Sequence, residues 1–206
     1  MSLRDVLKRA RIVPVLTIER AEDAVPLARA LAEGGLRTLE ITLRTGAAPD
    51  AVRAIRSALP DLTVGCGTLT RPEDFELAKG LGVAFAVSPG LTPRLAEAAR
   101  AAGMPYLPGA STVTEVLLAR EAGFDTLKFF PAELAGGVKA LRAFQPLVPG
   151  VRFCPTGGVN AGNAAEYLAL PNVIAVGGTW VAPEDAIAAG DWTRITALAK
   201  EAMART

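Results

Sequence analysis

The chain has 206 residues, half of them hydrophobic, which suits one compact domain with a sizeable core. Basic residues number 22 against 21 acidic ones, a net charge of +1, and no basic block is interleaved with aromatics, so neither nucleic acid nor a membrane surface is an expected partner. Histidine is absent, which excludes Ser-His-Asp and Cys-His catalysis and any His-ligated metal site and leaves carboxylates, lysine and water for acid–base work.

In chain order, the first ten residues read as a charged amphipathic helix. The apolar run Ile12–Ile18 is broken by Pro14 and is too short for a signal core or a membrane span. Further strand-like runs are Thr38–Leu43, Leu62–Gly65, Phe85–Val87, Tyr106–Leu107, Thr126–Phe130, Val151–Cys154 and Val173–Val176. Helical patterns lie between them at Ala21–Glu33, Ala47–Ala58, Thr92–Ala102, Val113–Glu121, Gly137–Phe144 and Ala161–Leu168. Such alternation predicts right-handed βαβ units and a parallel sheet. Eight strand candidates with no linker between them predict a single α/β domain over residues 1–206, a (β/α)8 TIM barrel with an N-terminal helix. An open doubly wound sheet is the structural alternative. Cys66 and Cys154 sit apart in apolar segments with no CxxC spacing; they read as buried thiols and fit a reduced, cytoplasmic setting.

Residues just after several strands are small or polar: Gly65-Cys-Gly-Thr68, Ser88-Pro-Gly90, Pro108-Gly-Ala-Ser111, Pro155-Thr-Gly-Gly158 and Gly177-Gly-Thr179. Barrel sites are built on that face, where small residues leave room for a ligand. Strand alternation over Thr38–Thr45 places Leu39, Ile41 and Leu43 on one face and Glu40, Thr42 and Arg44 on the other. A carboxylate and a guanidinium pointing inward either pair with each other or serve a ligand. Lys128 sits mid-strand among apolar neighbours, and a lysine there sheds hydration, which favours its nucleophilic amine. The other four lysines, Lys8, Lys79, Lys139 and Lys200, fall in helical or surface-like contexts. The bland reading of Lys128 is a side chain snorkelling to solvent or paired with Glu40. The glycine-rich ends Pro155-Thr-Gly-Gly-Val-Asn160 and Val176-Gly-Gly-Thr-Trp180 belong to the last two strands, where barrels frequently hold phosphate on backbone N–H groups; turns also need glycine.

Taken together, Glu40-Ile-Thr-Leu-Arg-Thr45, Gly65-Cys-Gly-Thr68, Val87-Ser-Pro-Gly90, Pro108-Gly-Ala-Ser-Thr112, Lys128-Phe-Phe-Pro-Ala-Glu133, Phe153-Cys-Pro-Thr-Gly-Gly158 and Gly177-Gly-Thr-Trp180 resemble the class I 2-keto-3-deoxy-6-phosphogluconate (KDPG) aldolases, many of which also act on 4-hydroxy-2-oxoglutarate. The resemblance runs in order from Val13 to the final helix. It implies a homotrimeric barrel that forms an imine with a small keto-acid phosphate, without metal or cofactor. By motif match Lys128 takes the Schiff-base position and Glu40 the acid/base position, while Arg44 and Thr68 match residues that hold the pyruvoyl carboxylate. Pro89 and Phe130 match residues that shape the pocket; Thr156, Gly157, Gly158, Gly178 and Thr179 fall where the distal end and its phosphate are received. The family often has serine where this chain has Thr179, so the hydroxyl donor survives with an added methyl. A sibling aldolase for the galactonate epimer, a sugar-phosphate isomerase or synthase, a metal-dependent aldolase and a non-catalytic ligand-binding barrel are the rival readings.

Overall fold

A computed structural model describes residues 2–205; Met1, part of the expected first helix, lies outside the described residues. Helix α1 (Leu3–Ala10) opens with a capping box in which Ser2 and Asp5 bond each other's backbone N–H, and Arg11 at φ +57° ends it. There follow β1 (Ile12–Leu16), α2 (Ala24–Glu33), β2 (Thr38–Thr42), α3 (Ala48–Ala58), β3 (Thr63–Gly67), α4 (Glu73–Gly80), β4 (Phe85–Val87) and α5 (Pro93–Ala102). The second half holds β5 (Tyr106–Leu107), β6 (Gly109–Ala110), α6 (Val113–Glu121), β7 (Thr126–Phe129), α7 (Gly137–Leu147), β8 (Arg152–Pro155), α8 (Ala164–Leu168), β9 (Val176–Gly178), α9 (Glu184–Ala189) and α10 (Trp192–Ala204).

All paired strands run parallel, in a six-stranded sheet ordered β5-β4-β3-β2-β1-β9 and a three-stranded sheet ordered β6-β7-β8. β5 and β6 are one stretch of chain interrupted at Pro108, which has no N–H to give to a ladder. β8 meets the approach to β9 only at isolated bridges, Phe153 to Val173 and Thr156 to Gly177. The result is a curled parallel sheet whose two faces carry separate apolar clusters. Ile12, Leu16, Leu39, Ile41, Leu127, Phe129 and Phe153 face the helices in the larger cluster. Val13, Phe85, Val87, Leu107, Cys154 and Ala175 form the smaller one on the inner face, sealed by Leu3, Val6 and Leu7 of α1. Burying each large apolar side chain contributes about 1.5–3 kcal/mol. Arg4 fastens α1 to the strand starts by donating to Thr126 Oγ1 (3.0 Å) and to the Gly150 carbonyl (2.8 Å).

Several boundaries differ from expectation. β1 ends at Leu16 rather than Ile18, and β2 ends at Thr42, leaving Arg44 beyond the ladder. The last strand lies at Val176–Gly178 instead of Val173–Val176, because Asn172 bonds the Leu141 carbonyl (2.8 Å) and ties the incoming chain to α7. α8 begins at Ala164 rather than Ala161, since Asn160 and Asn163 spend their side chains on the preceding turn. α4 is a helix that the sequence reading does not single out. Among the described residues no helix is long and apolar enough to cross a membrane.

Candidate active site

Lys128 lies on β7 between Gly109 of β6 and Cys154 of β8, and Glu40 lies on β2 between Val15 and Gly65. Both side chains point to the inner face and meet: Lys128 Nζ donates to Glu40 Oε1 at 2.9 Å and to Oε2 at 3.3 Å. They are 7 % and 4 % exposed, so the pair is a desolvated one. Two charges removed from water are tolerated only because each neutralises the other. A proton passing from nitrogen to oxygen along that hydrogen bond yields a free amine and an undissociated acid with no net charge change. The carboxylate reaches its partner because Gly67 has no side chain: a Cβ there would stand 2.2 Å from Glu40 Oε1 and 2.6 Å from its Cγ.

The ring of Phe130 lies with its centroid 5.5 Å from Lys128 Nζ, forming an apolar wall with a cation-attracting face. The Pro89 carbonyl occupies the space that a Cβ of Gly109, the ladder neighbour of Lys128, would need, 2.0 Å away. Arg44 stands past the end of β2, solvent-exposed, and its Nε donates to Thr68 Oγ1 at 3.2 Å. Thr68 itself is held at φ +63°, a conformation unfavourable for a β-branched residue and typical of a backbone constrained for a purpose. Glu40 therefore pairs with Lys128 and not with Arg44, which leaves the guanidinium's remaining donors for a carboxylate at the rim.

The thiols do not compete as nucleophiles. Burial pushes Cys66 up to about 12, with the Glu40 charge adding to it, and burial also pushes Cys154 up to about 12 despite the opposing pull of Lys128.

The second half of the site is the loop after β8. Gly157 and Gly158 adopt φ +96° and +81°, so glycine is required at both. Their carbonyls are all spoken for: Thr156 O accepts from Ala132 N (2.8 Å) and Gly157 O from Glu133 N (3.1 Å). Gly158 O accepts from Asn160 Nδ2 (3.1 Å) and Asn163 Nδ2 (3.2 Å). In a trans peptide the N–H points opposite to the carbonyl. Holding these three oxygens on the protein side turns the N–H groups of Gly157, Gly158 and Val159 away from it, an arrangement suited to an anion. Thr156 is buried beside this loop, in the space left by Gly177, whose Cβ would lie 2.4 Å from Thr156 Oγ1. At Gly178 the missing side chain leaves room for the Trp180 ring, 2.0 Å from the Cβ position, and Val159 O of the loop lies 3.2 Å from it. Thr179 is exposed just beyond, beside a groove of about 450 Å³ bordered by Val15 and Thr17.

The structure thus joins Lys128, Glu40 and Phe130 directly, joins Arg44 to Thr68, and sets Thr156, Gly157, Gly158 and Gly178 around one loop. Among the described residues no side-chain hydrogen bond ties Thr179 to that loop. Sequence reasoning does not find Asn163 or Thr17, whose hydroxyl bonds Thr42 Oγ1 at 3.0 Å. The only signal for Asn163 is an Asn-x-x-Asn spacing one residue after a Gly-Gly.

Comparison with known proteins gives this geometry a family. The chain is 48% identical over 202 residues to the KHG/KDPG aldolase of Escherichia coli K12, covering 98% of this chain and 95% of that one. The KDPG aldolase of Legionella pneumophila, solved with pyruvate captured as a covalent carbinolamine, superposes with a TM-score of 0.95 at 42% identity over 97% of both chains. The Zymomonas mobilis ZM4 2-keto-3-deoxy-6-phosphogluconate aldolase with 3-phosphoglycerate superposes with a TM-score of 0.93 at 43% identity, covering 99% of this chain and 96% of that one. With the sequence profile of the KDPG and KHG aldolases matching residues 3–198, the chain belongs to that family.

Proposed function

We propose that this protein cleaves 2-dehydro-3-deoxy-6-phosphogluconate to pyruvate and glyceraldehyde 3-phosphate through an imine on Lys128, and 4-hydroxy-2-oxoglutarate to pyruvate and glyoxylate by the same route. The observation that carries this reading is the buried 2.9 Å contact between Lys128 Nζ and Glu40, an amine and a proton acceptor in one desolvated pocket. Proton transfer to Glu40 frees the Lys128 amine, which attacks the keto carbon. The acid returns its proton to the departing hydroxyl, and loss of water gives an iminium that acts as the electron sink. Glu40, again a carboxylate, takes the proton from the hydroxyl on the carbon beyond the scissile bond. The carbon–carbon bond breaks, its electrons move into an enamine, and the aldehyde leaves. Glu40 then protonates the enamine carbon, and water hydrolyses the imine to release pyruvate. One carboxylate moves each proton, as a chain without histidine requires.

Arg44 and Thr68 hold the substrate carboxylate at the rim, Pro89 and Phe130 shape the pocket around the reacting carbons, and Thr156, Gly157, Gly158, Gly178 and Thr179 receive the distal hydroxyls and phosphate. The turned-out N–H groups of the Gly157–Gly158 loop support the phosphate assignment. We further read the two parallel sheets as arcs of one (β/α)8 barrel spanning a single domain, with α1 across its lower end. The isolated bridges from β8 toward β9 and the continuity of β5 with β6 support closure. A cytoplasmic homotrimer follows from the resemblance, and Leu134, 90% exposed beside the site, suits burial between copies.

The test is borohydride reduction in the presence of pyruvate, followed by peptide mass mapping. An adduct on Lys128 is the expected result, and absence of any adduct on an active enzyme overturns the imine.

A further inference from the structure

Asn160 and Asn163 touch neither the Lys128–Glu40 pair nor the rim, yet both amides converge on one atom, the carbonyl oxygen of Gly158, at 3.1 and 3.2 Å. They also brace each other, since Asn160 N donates to Asn163 Oδ1 at 2.8 Å. Gly162 N donates to Asn160 Oδ1 at 2.8 Å, which fixes the other end of that side chain. Two neutral donors on one carbonyl of an exposed glycine are more than local structure demands, because water would satisfy that oxygen equally well. Their effect is on orientation. Gly158 at φ +81°, like Gly157 before it, has no side chain to restrict its backbone, so the hold on its oxygen sets the orientation of its peptide.

On the inner side of the loop a second brace acts on the preceding peptides. Glu133 N takes the Gly157 oxygen, and the Glu133 stem packs where a Gly158 side chain would be, 2.5 Å from the Cβ position to its Cγ. The Glu133 carboxylate accepts a short hydrogen bond from Tyr167, which is fully buried on α8. The loop is therefore held by two side-chain amides on Gly158 O and by the Glu133 backbone N–H and stem against Gly157 and Gly158.

We propose that Asn160 and Asn163, acting beside the Glu133 brace on the preceding peptide, are positioning residues that preset the Val159 N–H, next to that of Gly158, for the substrate phosphate, and so determine preference for phosphorylated over unphosphorylated keto acids. This rests on the reading of the loop as the phosphate end given above. A donor set fixed before binding loses no orientation free energy when the anion arrives, and charge-assisted bonds to phosphate are the ones most sensitive to that loss.

The test uses Asn163→Ser, which keeps a hydroxyl able to cap α8 while removing the long amide donor, and the double variant Asn160→Ser/Asn163→Ser. KM and kcat are measured for 2-dehydro-3-deoxy-6-phosphogluconate and for 4-hydroxy-2-oxoglutarate, together with competitive inhibition by inorganic phosphate and by pyruvate analogues. The expected result for the double variant is a rise of about tenfold in KM for the phosphorylated substrate and a matching weakening of phosphate inhibition. kcat and every constant for the unphosphorylated substrate stay within about twofold, and Asn163→Ser falls between. Equal losses on both substrates, or no loss on either, overturn the proposal. If the wild-type enzyme itself turns over only the unphosphorylated substrate and is not inhibited by phosphate, the reading of the loop falls together with it.

Discussion

Gly67→Ala isolates the geometry of the acid/base from its chemistry. The Gly67 backbone is in a conformation open to any residue, so an added methyl acts only through space. Its Cβ would stand 2.2 Å from Glu40 Oε1, 2.6 Å from Cγ and 2.7 Å from Cδ, whereas ordinary contact begins at 3.4 Å. The carboxylate must therefore retreat by about 1.2 Å, and Cγ cannot stay where it is either. That displacement separates Glu40 from Lys128 Nζ, now 2.9 Å away. A misplacement of about 1 Å at a reacting group costs on the order of 10²-fold in rate. Overpacking of this kind costs about 1–3 kcal/mol of stability, and in a chain of this size each kcal/mol lowers Tm by about 2–4 °C. Pyruvate release, followed by coupled NADH oxidation with lactate dehydrogenase, measures kcat, and circular dichroism measures Tm. The expected pattern is a loss of about 10² in kcat with a folded, slightly less stable enzyme, and borohydride trapping at Lys128 that is slowed but not abolished. A variant with kcat within twofold of wild type would show that Glu40 does not act from the position seen here.

The remaining predictions concern the thiols and the acid limb of stability. Because burial pushes Cys66 and Cys154 to about 12, a disulfide reagent at neutral pH should find no reactive thiol in the native protein and two after denaturation; rapid native labelling would refute their assignment to the core. Burial pushes the Asp74 carboxyl up, but this is outweighed by hydrogen bonds from the Thr70 and Arg71 N–H groups and the Arg71 guanidinium, so its pKa lies below the ordinary value. A lowered folded-state pKa contributes stability that is fully present above the unfolded value of about 3.9 and is lost as pH falls through the folded one. Asp74→Asn should therefore narrow the stability gap to wild type as the pH is taken below about 4, measured by urea unfolding across pH; a gap independent of pH would contradict the linkage.

Much of this site was legible before folding was considered. Lys128 in an apolar run, Glu40 on the polar side of a period-two strand and the total lack of histidine restrict the chemistry by composition and alternation alone, and both depend on local rules that a linear chain carries. The helix Val113–Glu121 has the bounds its pattern predicts, and the capping box that starts it, Thr112 with Glu115, lies within four consecutive positions. The end of the last strand was not readable. Its position is set by Asn172 reaching across 31 residues to Leu141, and no window along the chain contains that bond.

The same division runs through the active site. Sequence determined which residue types could form an imine and move a proton, since nucleophilicity and acidity belong to side chains. Only tertiary structure decided that Glu40 and Lys128, 88 positions apart, share a hydrogen bond, that Gly67 owes its lack of a side chain to Glu40, and that Arg44 stands with Thr68 at the rim instead of pairing inward. It also decided which way the peptides of the glycine loop face, the Gly157–Gly158 peptide through Glu133 N and the Gly158–Val159 peptide through amides on Asn160 and Asn163 that sequence alone would assign to a turn. Residue chemistry is local, whereas contact and orientation are set by how distant strands come side by side in a curled sheet.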